Sequence, residues 1–162
     1  MPKGKKKTKK KEESVGDLDD VVAAAQSGTF LSGIVDDARV KALVKAAAKG
    51  RAKDVEVLYI VATRLNRDSE ARFADGDETL SKKHFDHAVD LFQAAQSFGH
   101  LGAIVELGKL EMGRGDNASA VRCFEFAAAK GSAAAMHALG SLALRDDTGS
   151  CRPQIGEEFT DP

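Results

Sequence analysis

The sequence predicts an all-α protein, an α-solenoid of about three antiparallel helical hairpins and seven helices, and three observations carry that prediction. Alanine supplies much of a 43% hydrophobic content in which aromatics reach only 6% and tryptophan is absent; alanine is the strongest helix former and lets helix axes approach closely. The only three prolines, Pro2, Pro153 and Pro162, stand in the terminal segments and leave the chain between them free of helix breakers. Third, the chain repeats itself: residues 88–112 superpose on 120–144 with a shift of 32 and no gap. The identical pairs are Ala88/Ala120, Val89/Val121, Phe92/Phe124, Ala95/Ala127, Gly99/Gly131, Ala103/Ala135, Leu107/Leu139, Gly108/Gly140 and Leu110/Leu142. Self-similarity at such a period marks stacked units, none of which can bury its own apolar face alone.

In chain order, residues 1–14 form a lysine-rich tail with nothing to bury, expected to be disordered. A helical repeat domain is expected over 15–146, with helices at about 17–27, 36–49, 52–66, 84–98, 101–113, 116–130 and 133–145. In the second of these, Val35, Ala38, Ala42, Leu43, Ala46 and Ala47 share one face while Lys41, Lys45 and Lys49 point away. Gly28, Gly50, Gly99 and Gly131 follow helices where a left-handed C′ residue is wanted. Asp116 or Asn117 can cap the sixth helix and Ser132 the seventh. The polar stretch 68–83 exceeds ordinary helix connections of about 2–8 residues, so it reads as an insertion, either a partner-binding loop or a disordered one. Residues 147–162 show no periodicity and form a C-terminal tail.

The repeated positions have a packing logic. Ala88, Ala95, Ala103, Ala120, Ala127 and Ala135 are small where helices cross, and Phe92 and Phe124 fill the gap between hairpins. Gly108 and Gly140 fall inside helices at about 1 kcal/mol each against alanine, which is tolerable only where a neighbouring helix needs the space. A fainter copy follows Ala46-Ala47-Ala48-Lys49-Gly50, which parallels Ala127-Ala128-Ala129-Lys130-Gly131, with Leu58 in the place of Leu139.

Leu107-Gly108, Ala120, Phe124 and Ala127 follow the Leu-Gly, Ala, Phe, Ala spacing of tetratricopeptide repeats. Ala127-Ala128-Ala129-Lys130-Gly131, Ala135 and Leu139-Gly140 more closely resemble the related Sel-one-like repeat. The likeness covers about residues 36–145 and is strongest from 84 onward. It departs from the pattern where Glu111 and Ala143 replace the aromatic three residues after Leu-Gly, and where Leu91 and Cys123 precede the phenylalanines. The resemblance implies a right-handed superhelix with a concave face for peptides or other proteins, and no chemistry.

Composition and spacing narrow the function classes further. The net charge of −1 splits into +5 for residues 1–13, where seven lysines face Glu12 and Glu13, and −6 for the rest. Lys5, Lys6, Lys7, Lys9, Lys10 and Lys11 can contact an anionic surface such as nucleic acid or an acidic protein tail. The tail has no aromatic to stack on bases and no arginine to read them. Cys123 and Cys151 lack metal spacing, and Cys123 reads as a small buried hydrophobe. His84 and His87, with Asp86 and Asp90 nearby, lack a third convergent ligand and read as solvated helix-start residues. Asp75-Gly76-Asp77-Glu78 lacks a calcium-loop pattern and reads as a turn, and Arg114-Gly115-Asp116 as a turn followed by an N-cap.

The expectation is therefore a protein that is not an enzyme, with no cofactor, no metal and no membrane insertion. It would act in the cytoplasm, or in the nucleus or on the cytoskeleton, as an adaptor or scaffold subunit of a larger assembly. Helical spacing nominates Glu106, Lys109 and Glu111 on one helix, with His137 and Ser141 on the next, as partner-facing. The alternative is a nucleic-acid or ribonucleoprotein component that works through its basic tail.

Overall fold

Amphipathic alanine-rich segments become helices throughout the computed structural model, which describes residues 16–31, 33–49 and 52–145. Over these residues the chain forms seven helices and no strand. They are α1 (Gly16–Ser27), α2 (Asp37–Ala47), α3 (Ala52–Ala74), α4 (Glu78–Ser97), α5 (Leu101–Gly113), α6 (Asn117–Ala129) and α7 (Ala133–Arg145). The lysine tail, Gly50 and the C-terminal segment lie outside the described residues. No described helix is long and apolar enough to cross a membrane.

The chain divides into two compact units between Ala94 and Ala95. In the first, α3 packs against both α1 and α2. Leu58, Val61, Ala62 and Leu65 of α3 are fully enclosed there, together with Val21 and Leu31. The α2 face that goes inward is Val40, Leu43 and Ala47, while Ala38 is exposed and Ala42 and Ala46 are half-buried. The buried stripe is thus narrower than expected and centred on the branched side chains, which remove more apolar area from water than alanine does.

The stretch 68–83 is not a loop, which corrects the expectation of an insertion there. Helix α3 continues to Ala74 and α4 starts at Glu78, leaving a reversal at Asp75-Gly76-Asp77. Asp68 and Ser69 are buried because they extend the inward row of Leu58, Val61 and Leu65 by one more turn. Gly76 takes φ 83, and the Asp77 carboxylate accepts from the Leu80 amide at 3.1 Å to cap α4. Polar composition alone misleads here, because polar side chains satisfied inside the protein keep the helical period.

In the second unit α6 packs against both α5 and α7 around Ile104, Val105, Ala120, Phe124, Ala127 and Ala135. Gly99 and Gly131, equivalent in the repeat, close their helices the same way. Each has positive φ (82 and 89), and the next residue's amide reaches back to Ala95 O and Ala127 O, both at 3.0 Å. This double reversal needs a residue without a Cβ. Asp116 and Ser132 then cap α6 and α7 by accepting from Ser119 N and Ala135 N.

The two helix-interior glycines part company. A Cβ on Gly108 would stand 2.6 Å from Cε1 of Phe124, so the glycine is the notch into which that ring fits. Gly140 has nothing within 4 Å of its Cβ position and is exposed, so no described neighbour uses the space it leaves. This corrects the packing reason expected for Gly140. Gly140→Ala is accordingly expected to raise stability by about 0.5–1 kcal/mol, read as a higher urea midpoint at unchanged slope.

Candidate functional site

The five partner-facing residues nominated by spacing all lie on the second unit, and the side-chain hydrogen bonds described for them are local, within three or four residues. Lys109 Nζ donates to Glu106 at 2.7 Å, and Arg114 donates to Glu111 at 3.1 Å. Ser141 Oγ returns its proton to the His137 carbonyl at 2.9 Å. Lys109, His137 and Ser141 are exposed, and Glu106 and Glu111 are half-buried. The charges on α5 are thereby already balanced locally.

A more distinctive surface lies on α6. Phe124 points into the core, so Phe126, two residues and about 200° further round the helix, must emerge elsewhere. It is 55% exposed. Arg122 and Lys130 stand one turn before and one turn after it, and Lys130 Nζ lies 5.8 Å from the Phe126 ring centroid. Beside this stripe runs a shallow groove of about 250 Å³, lined by Gln96, Ile104, Arg122, Cys123 and Phe126.

Cys123 is half-buried rather than enclosed, and burial, followed by the nearby Glu111 carboxylate, pushes its thiol pKa up. It meets the groove as a neutral, weakly polar contact, not as a thiolate nucleophile. Arg122 donates to Ser119 Oγ at 3.0 Å, and Ser119 Oγ in turn donates to Asp116 at 2.7 Å. The Ser119 amide, then the Ser119 hydroxyl, hold the Asp116 carboxyl below its ordinary range, with the Arg122 charge adding to them. Sequence reasoning missed this surface, although the Arg122, Phe126, Lys130 spacing of four was its available signal.

The first unit contains a buried polar cluster where the sequence suggested an open loop. Asp68 is 1% exposed, accepts from the Leu31 amide at 2.7 Å and pairs with Arg64 Nε at 3.1 Å. Arg64 also donates to the Gly28 carbonyl, so one ion pair ties the end of α1 and the segment after it to α3. Ser81 donates to the Ser69 carbonyl at 2.8 Å, which fastens α4 to α3. Phe30 is 48% exposed, with the Arg64 and Arg72 guanidinium groups 5.6 and 5.1 Å from its ring centroid. A second groove, between α1 and α3, is lined by Ala25, Tyr59, Ile60, Thr63, Arg64 and Arg67, among others.

His84 and His87 belong to the same cluster and are buried, which corrects their reading as solvated helix-start residues: α4 begins six residues before His84. His87 Nε2 lies 2.7 Å from Asp37 Oδ1, and since a carboxylate only accepts, Nε2 carries the proton. That bond lowers the Asp37 pKa. The described residues contain no group of three or more potential ligands arranged to hold a metal.

Burial lowers the His84 pKa below the ordinary 6.5, the Asp68 charge opposing this and His87, Arg72 and Lys83 adding to it. The unfolded chain therefore takes up this proton first as pH falls. Stability is full above about pH 6.5 and declines from there towards the lower folded-state value. The wild-type urea midpoint should drop between about pH 7.5 and about pH 5.5, and His84→Gln should flatten that slope.

No family model, no curated protein and no solved structure matches this chain.

Proposed function

We propose that the protein is a non-catalytic adaptor, a scaffold subunit whose hairpins stack as a right-handed α-solenoid and hold a protein partner on their surface. The observation that carries this reading is the in-register repeat of 88–112 and 120–144, with α5, α6 and α7 consecutive around one core. Repeat stacks of this kind offer long surfaces built from many short helices, suited to recognition more than to converging reactive groups. The resemblance to Sel-one-like and tetratricopeptide repeats points the same way. The exposed Phe126 and the groove beside it supply the apolar centre that such recognition needs.

Affinity purification from the source cell under native conditions, with mass spectrometry, tests the proposal. A recurrent stoichiometric partner is expected, and a chain that elutes alone at every salt concentration sinks it. A second reading, attachment to nucleic acid through Lys5, Lys6, Lys7, Lys9, Lys10 and Lys11, rests on the +5 charge of residues 1–13. Deleting those residues and measuring RNA affinity at two salt concentrations decides it. An unchanged affinity and salt slope removes the tail from the account.

A further inference from the structure

We propose that the groove beside α6 recognises a short acidic segment carrying one large apolar side chain between two carboxylates. The inference rests on the adaptor reading and names the chemistry of its partner. Its first support is the distribution of charge. Among the described residues of the second unit, Lys109 and Arg114 are each paired with a carboxylate three residues earlier, Glu106 and Glu111. Arg122 and Lys130 form no such direct ion pair: Arg122 is bonded to Ser119, which bonds Asp116, and feels that carboxylate's charge only at longer range, while Lys130 sits over the Phe126 ring. Among the described side chains of this unit, these two cations thus flank the most exposed aromatic ring.

Its second support is the groove itself. Ile104, Cys123 and Phe126 make its apolar surface, Gln96 offers an amide at the edge, and no acidic residue lines it. Glu125, the exposed acid next to Phe126, does not line it either. A ligand that buried only an apolar side chain here would leave both cations without a directly paired carboxylate. A basic ligand would be repelled by them.

Spacing narrows the ligand further. Lys130, at the cap of α6, stands eight positions after Arg122, a rise of about 12 Å. An extended peptide covers about 13 Å in four residues, and its alternate side chains face one way. The fitting pattern is therefore carboxylate, any residue, large apolar residue, any residue, carboxylate, with the apolar side chain against Phe126 and Cys123 and a carboxylate at each cation.

The test uses the full-length chain and a fluorescein-labelled nonapeptide, Gly-Ser-Glu-Ala-Leu-Ala-Glu-Ser-Gly, followed by polarisation. Two control peptides carry lysine for both glutamates, or serine for the leucine. Saturable binding of the first peptide is expected, at least about tenfold weaker for either control and weakening with salt. The double variant Arg122→Glu/Lys130→Glu and the single variant Phe126→Ser should each lose at least about tenfold, whereas Lys109→Glu should bind as wild type. All four positions are exposed, and circular dichroism verifies that each variant is folded.

Equal binding of the acidic and basic peptides, no saturation below about millimolar concentration, or indifference to both groove variants overturns the proposal. Native affinity capture separates this failure from that of the adaptor reading. If wild type and Phe126→Ser retain the same partners, the adaptor stands and the groove is not its site. If wild type retains none, both readings fall.

Discussion

Phe124→Ala is expected to lower the unfolding free energy by about 3–5 kcal/mol, among the largest effects any single substitution in the second unit can have. The ring is fully buried and lies where α5, α6 and α7 share their core, so its removal leaves a cavity that three helices border. Its edge rests in the gap left by Gly108, which gives the pair a diagnostic coupling. Gly108→Ala gains about 0.8–1 kcal/mol of helix propensity but drives a methyl to 2.6 Å from a fully buried ring, which must then shift, an overpacking cost of about 1–3 kcal/mol. The net sign should be destabilising, opposite to that of Gly140→Ala at the equivalent place in the repeat. Shrinking the ring in Phe124→Leu should make Gly108→Ala less costly, with a coupling of about 0.5–3 kcal/mol in a double-mutant cycle measured by urea unfolding. Additive effects of the two changes would remove the notch from the account.

How much of this was legible beforehand depended on whether a position was apolar. Five helices could be bounded to within two residues, because glycine and capping residues punctuate an alanine-rich pattern with little ambiguity. The repeat also pointed to Phe92, Phe124, Ala95 and Ala127 as buried, and they are. The α3–α4 reversal was misread because Asp68, Ser69, Ser81 and His84 occupy inward positions that apolar residues normally hold. Continuing the row Leu58, Val61, Leu65 by three and four residues reaches Asp68 and Ser69, so the period was present although its chemistry had changed. Whether such side chains find partners is a tertiary fact, invisible to a pattern of hydrophobicity. The α6 surface is hidden in the sequence for a related reason: the repeat marks Phe124, whereas Phe126 has Ala94 as its counterpart and is not repeated.

Asp68→Ala should cost about 2–4 kcal/mol, comparable to deleting a large core side chain although no comparable apolar volume is lost. The carboxylate is 1% exposed and answers two groups at once, the Leu31 amide and the Arg64 guanidinium. Arg64 keeps 19% of its side chain exposed, so water recovers part of what it loses, which holds the cost below that of a fully enclosed ion pair. The Leu31 amide has no such recourse, because its residue is fully enclosed. Two consequences separate this arrangement from an ordinary salt bridge. Removing both charges, in Asp68→Ala/Arg64→Met, should not restore wild-type stability, since the amide still lacks an acceptor and about 1–3 kcal/mol remains lost. Hydrogen exchange should report the same thing locally: the Leu31 amide, protected in the wild type, should exchange far faster in Asp68→Ala than the amides of α5 and α6 do. If Leu31 stays as protected as before while overall stability falls, Asp68 acts through Arg64 alone and does not fasten the segment between α1 and α2.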